Sequence, residues 1–141
     1  MLKILLAIDG SENALCAVSY LIKRASATKD QHEVSLVNVQ YPLHGTVASF
    51  VSGTQVKEYH HDEGMKALAP AQALLDGAGI TYTEHLFVGE PAEVLSRFAR
   101  EHGCDEIVIG SRGLGNIGNL LVGSVASKII HLAEVPVVLV K

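Results

Sequence analysis

The feature that most restricts the fold of this chain is a set of short, almost uninterrupted apolar runs spaced along it. Leu2–Ile8, Val34–Val39, Ile107–Ile109 (with Glu106 at its start) and Val137–Val140 are built nearly throughout from Val, Ile and Leu. A strand apolar on both sides needs cover on both sides, which is the condition of a parallel sheet sandwiched by helices. A fifth run, Ile80–Phe87, alternates instead, with Thr81, Thr83 and His85 between Ile80, Tyr82 and Leu86. That alternation predicts a half-exposed edge strand.

Helical patterns fill the intervals. Ser11 is a suitable N-cap, Glu12 suits the positive helix end, and Ala14, Val18, Leu21, Ile22 and Ala25 form an apolar stripe. A second helix is expected over Gln55 to Leu75, ended by Gly77 and Gly79, with Pro70 kinking or restarting it. The third opens at Pro91, carries Val94, Leu95, Phe98 and Ala99, and stops at Gly103. The fourth begins at Gly123-Ser124, presents Ala126, Ile129, Ile130 and Ala133, and cannot pass Pro136. Strand–helix alternation from end to end predicts an α/β fold with a mainly parallel, doubly wound sheet flanked by four helices. A closed barrel would need about eight such units.

Composition narrows the function classes. The 141 residues suit a single domain, 1–141, and no repeat or linker divides them. Apolar residues at 48% and charged ones at 18% argue against disorder. A net charge of −4 without a basic stripe makes nucleic acid a poor partner. No apolar run approaches the roughly 18 residues of a membrane span, and the short run at the N-terminus lacks the form of a secretory signal. Cys16 and Cys104 form no CxxC pair, so two reduced, packed thiols in a cytoplasmic protein are expected.

In a doubly wound sheet ligands bind outside the carboxyl ends of the strands, which directs attention to the residues after Ile8, Val39 and Ile109. After Ile8 comes Asp9-Gly10-Ser11: a carboxylate there can accept from a ribose or base, or it can merely cap the next helix. The paired acids of a response-regulator receiver are missing. After Ile109 the stretch Gly110 to Ser124 contains five glycines and leads into a helix, whose first N–H groups make an anion site. The alternative is a flexible surface loop. Gly113-Leu114-Gly115-Asn116-Ile117-Gly118 matches GxGxxG, but the acid-ended strand about 20 residues on is absent. Gly118 to Ser124 imitates a Walker A loop but lacks its lysine.

The spacing that fits is Gly110-x2-Gly113-x9-Gly123-Ser124. With the Ala7-Ile8-Asp9-Gly10-Ser11 opening, Val88-Gly89-Glu90-Pro91, Asp105 to Gly110, Gly123-Ser124-Val125-Ala126 and Val135-Pro136-Val137-Val138, the whole chain resembles the universal stress protein family, in its nucleotide-binding branch. The resemblance implies a strand order of 3-2-1-4-5 and an ATP site. Ala7 and Asp9 would meet the adenosine, the Val39 backbone the adenine edge, and Ile109 and Gly110 the ribose and base. Gly113, Gly123, Ser124 and Val125 would surround the phosphates, which fits the physics of glycine-exposed N–H groups and a seryl donor. One departure concerns the phosphate end: Leu114–Val122 holds no basic residue, which leaves Arg112 as the nearby cation. In that strand order Val137–Val140 is an apolar edge without charge protection before Lys141, and it is expected to pair with a second copy in a homodimer.

Other signals point less sharply. Seven histidines include His60-His61-Asp62-Glu63, whose neighbours diverge around a helix and so form a solvated face; any divalent ion, Mg²⁺ or Mn²⁺, is expected on the phosphates. Gln40–Thr54, about 15 residues without a clear period, is a lid, a partner surface or disorder. Three functions follow: a stress-associated regulator that binds ATP and signals to an unidentified protein partner; a slow ATPase or self-phosphorylating protein using Ser111 or Ser124; or a nucleotide-free dimeric interaction protein. Efficient phosphoryl transfer needs positioned cations and a base, and only Arg112 and Asp9 offer themselves. No catalytic or metal-ligating residue is therefore assigned.

Overall fold

The computed structural model describes residues 1–43, 52–112 and 122–141. Its elements alternate as expected: β1 (Leu2–Ala7), α1 (Glu12–Ala27), β2 (His32–Gln40), α2 (Gly53–Gly77), β3 (Tyr82–Val88), α3 (Pro91–Glu101), β4 (Glu106–Gly110), α4 (Ser124–Leu132) and β5 (Val137–Val140). The five strands form one sheet of order β3-β2-β1-β4-β5, every pair parallel. This is the doubly wound 3-2-1-4-5 arrangement. β1 lies at the centre, and the strand order reverses on its two sides, opening a crevice at the carboxyl edge.

The two faces carry separate cores. Ile4, Leu6 and Ile8 of the β1 segment pack with Val34, Leu36 and Val108 beneath α1 and α2. Leu5, Ala7, Val37, Ile107 and Ile109 point the other way, beneath Leu95 and Phe98 of α3 and Ile129 of α4. Ile4, Leu5 and Leu6 are all 0% exposed, which explains why β1 shows no alternation. Each such side chain contributes about 2 kcal/mol through burial.

Caps place the helices. Ser11 Oγ accepts the Ala14 N–H at 3.1 Å and starts α1. Ser52 and Gln55 make a reciprocal capping box, so α2 starts at Gly53, earlier than the periodicity suggested. The expected Gln40–Thr54 loop is thereby shortened, and its residues 44–51 lie outside the described residues. Glu90 caps α3 through the Ala92 and Glu93 N–H groups, a role the sequence reading missed.

Several expectations need correction. α2 does not restart at Pro70. Leu68, Ala71 and Leu75, all 0% exposed, hold the helix to the sheet on either side of that residue. Pro70 itself faces solvent, where water can serve the carbonyl it leaves unbonded. His60 is buried, not part of a solvated face, because it continues the stripe of Gly64, Leu68, Ala71 and Leu75. Ile130 points outward at 48% exposure, and Cys16 is exposed while Cys104 is packed; both thiols are free. No described helix is long and apolar enough to cross a membrane.

The edge strand β3 is fixed to α3 by an aromatic cluster. His85 meets Phe98 edge-on at 4.8 Å between ring centroids, Phe98 stacks on His102 at 3.9 Å, and the two imidazoles lie 6.1 Å apart. Burial first, then His102, push the His85 imidazole below its ordinary pKa, against a smaller opposing pull from Glu84. The folded state thus favours neutral His85, and the unfolded chain binds the proton more readily. Stability supplied by this contact is present above the ordinary histidine range and is lost as pH falls through it. Urea unfolding between about pH 7 and pH 5 should show a shallower pH slope for His85→Phe than for wild type. Identical slopes would show that His85 is not the titrating group.

Candidate functional site

The crevice at the carboxyl edge is built by strands that end unevenly. The β1–β2 ladder closes at Ala7↔Val37, where the Ile8 N–H reaches the Val37 carbonyl at 2.9 Å, yet β2 continues to Gln40. Backbone groups alternate sides along a strand, so Val39 turns its N–H and C=O the same way as Val37, past the last β1 pairing. Gln40 turns the other way and accepts the Gly89 N–H at 2.9 Å. Val39 therefore offers a donor and an acceptor to the gap between the strand ends.

Buried Asn38 sets this geometry. Its Nδ2 donates to the Ile8 carbonyl at 2.9 Å, and its Oδ1 accepts from Gln40 Nε2 at 2.9 Å. A polar residue inside the apolar Val34–Val39 run was the available signal for it.

Below the crevice lies an apolar floor. Ala7, Ile109, Val39 and Val125 belong to the one cluster beneath α3 and α4. Exposure rises toward the strand ends, from 0% at Leu5 and Ile107 to 7% at Ala7 and 8% at Ile109. Beside it Asp9, half-buried, accepts the Ser11 N–H at 2.9 Å through Oδ1 and braces the turn at Gly10, whose φ is +89°. The helix cap is Ser11, so Asp9 does not act as the cap itself.

The glycine-rich stretch leaves the sheet at Gly110 and returns at α4. The Ser111 N–H is held by the Val140 carbonyl at 2.8 Å, and the Ser111 carbonyl accepts the Gly123 N–H at 2.6 Å. That second bond brings the start of α4 to the end of β4. Gly123 is the N-cap and supplies no capping side chain, Ser124 is the first helical residue and exposed, and Val125 is half-buried. Such a helix start presents its first-turn N–H groups and positive dipole end to an anion. Ser111 Oγ, on a residue 3% exposed, has no hydrogen-bond partner among the described residues. Arg112 is exposed, and Gly113, with residues 114–121, lies outside the described residues.

Gly110 owes its identity to its own chain before any ligand. A Cβ there would stand 2.6 Å from Asn13 Oδ1 and 2.9 Å from the Asn13 carbonyl oxygen. Asn13 Oδ1 also accepts the Arg112 N–H at 2.7 Å. Nothing in the sequence links residues so far apart.

These features define a doubly wound α/β domain with an uncapped helix start at its strand-order reversal. The sequence model of the universal stress protein family matches residues 1–141, and the chain belongs to that family. It is 31% identical to universal stress protein YxiE of Bacillus subtilis, covering 99% of this chain and 98% of that one. Among solved structures, MJ0577 of Methanocaldococcus jannaschii superposes with a TM-score of 0.84 at 29% identity, over 99% of this chain and 94% of that chain. A universal stress protein in complex with cAMP superposes with a TM-score of 0.71 at 25% identity, over 99% and 97% of the two chains.

Proposed function

We propose that this chain is a stress-associated regulatory module that binds an adenine nucleotide, ATP in particular, across the carboxyl edge of its sheet. The observation that carries this reading is the 2.6 Å bond from the Gly123 N–H to the Ser111 carbonyl, which sets an uncapped helix start beside an apolar floor. Adenosine fits the floor of Ala7, Val39 and Ile109, with the Val39 backbone facing the base and Asp9 near the ribose. Phosphates fit the start of α4, where Gly123 admits close approach and Ser124 adds a hydroxyl. The cAMP of the 25%-identical relative supports an adenosine phosphate as the ligand class. A divalent ion, Mg²⁺ or Mn²⁺, would ride on the phosphates.

The module is read as a binder, not an enzyme. Ser111, at 3% exposure, is poorly placed to attack a phosphoryl group, and no described histidine or lysine is seen to activate Ser124. Signalling through assembly suits β5: it is the last strand of the sheet, its four residues are half-buried, and Ile130 and Leu132 of the preceding helix are exposed at 48% and 40%. A homodimer through Val137–Val140, acting in the cytoplasm, completes the reading.

Calorimetric titration should show saturable ATP binding to the wild type, weakened by Asp9→Ala, with phosphate release far below about 1 s⁻¹. Absence of binding by ATP, AMP and cAMP alike would reject the nucleotide reading; turnover at ordinary enzyme rates would reject the binding-module part.

A further inference from the structure

We infer that Asn13 is a positioning residue for the phosphate end of the site, setting where Arg112 stands; this rests on the nucleotide reading above. Asn13 is half-buried in the first turn of α1, two residues past the Ser11 cap. Its Oδ1 takes the Arg112 N–H at 2.7 Å, and its backbone packs so closely on Gly110 that an added Cβ would lie 2.9 Å from its carbonyl oxygen. The first turn of α1 is thus seated on the end of β4.

The backbone from Gly110 to Arg112 is tied in three directions. Val140 of β5 holds the Ser111 N–H, Gly123 at the start of α4 holds the Ser111 carbonyl, and Asn13 of α1 holds the Arg112 N–H. The first two ties are backbone to backbone. The third ends in a side chain, so it is the tie that substitution can vary, and an amide oxygen makes it without placing a negative charge beside the phosphates.

Arg112 is the cation nearest the glycine-rich stretch, since residues 114–122 include no Lys or Arg. Its guanidinium can serve the phosphates only if its backbone is held at the strand end, and Asn13 does the holding. The effect should therefore grow with the phosphate charge of the ligand. Adenosine, which uses the floor and Val39, should be indifferent to it.

The test compares wild type, Asn13→Ala and Asn13→Asp by amide hydrogen exchange at Arg112 and by titration with ATP and with adenosine. Asn13→Ala should speed Arg112 exchange about tenfold and weaken ATP roughly five- to tenfold, the scale of one lost hydrogen bond, with adenosine affinity changed less than about twofold. Asn13→Asp, which keeps an acceptor in place, should restore the Arg112 protection while ATP stays weakened by the added charge. Equal losses for ATP and adenosine in Asn13→Ala, or unchanged ATP affinity despite faster exchange, would overturn the role of Asn13 alone. A wild type that binds neither ligand would overturn the nucleotide reading, and this role with it.

Discussion

Gly110→Val should destabilise the protein by about 3 kcal/mol and lower its melting temperature by roughly 10 °C. A side chain at this position meets the Asn13 carbonyl oxygen at 2.9 Å and its carbonyl carbon at 3.0 Å, both backbone atoms that cannot swing aside. The Asn13 amide oxygen at 2.6 Å could rotate away, but only by releasing the Arg112 N–H. Relief therefore requires α1 to lift from β4, and α1 supplies Ala14, Ala17, Val18 and Leu21 to the core of its face. Gly110→Ala should show a smaller loss of the same kind, since even the first carbon is too close. Thermal unfolding with wild-type stability in Gly110→Val would mean that the first turn of α1 is not seated on this strand end.

Gly123→Val should behave oppositely, sparing the fold and losing the ligand. Gly123 has φ −69° and ψ 167°, an extended conformation open to any residue, so the substitution meets no backbone strain. As an N-cap it contributes no side-chain bond, and the structural loss should stay near 1 kcal/mol or less. On the proposed placement, an isopropyl group at this position would crowd the phosphates at the start of α4. ATP affinity should fall by about 100-fold or more, equivalent to roughly 2.7 kcal/mol, while adenosine retains most of its binding. Calorimetry giving wild-type ATP affinity in a folded Gly123→Val protein would move the phosphates away from α4.

Much of this architecture could be read from residue pattern alone because parallel strands buried on both faces leave a distinctive trace. Leu2–Ile8 and Val34–Val39 are apolar at every position but Lys3, Ser35 and Asn38, since each strand faces helices on both sides, and Ser11, Pro91 and Gly123 mark helix starts by local chemistry. What escaped the pattern depends on contacts between distant segments. Pro70 looks like a break, but the packing of Leu68, Ala71 and Leu75 outweighs one missing bond. His60 looks polar among polar neighbours, yet it falls on the stripe that continues through Gly64, where a Cβ would press Leu86 at 2.8 Å. At the candidate site, the strand ends were legible. Asn13 was not, and Asn38 showed only as a polar residue inside an apolar run: their bonds reach Arg112 and Ile8, 99 and 30 positions away, and local sequence does not name such partners.

Amide chemical-shift mapping of labelled protein titrated with ATP tests most directly where the nucleotide sits. The expected result is saturable shifts gathered at Asp9, Val39, Ser111, Arg112 and Gly123 to Val125, absent or much reduced in Gly123→Val. A second groove lies at the opposite, amino-terminal end of β3, lined by Asp76, Ile80, Tyr82 and Glu84. Its carboxylates should repel a polyanion. Saturable shifts centred on that groove, or none at the carboxyl edge, would contradict the account.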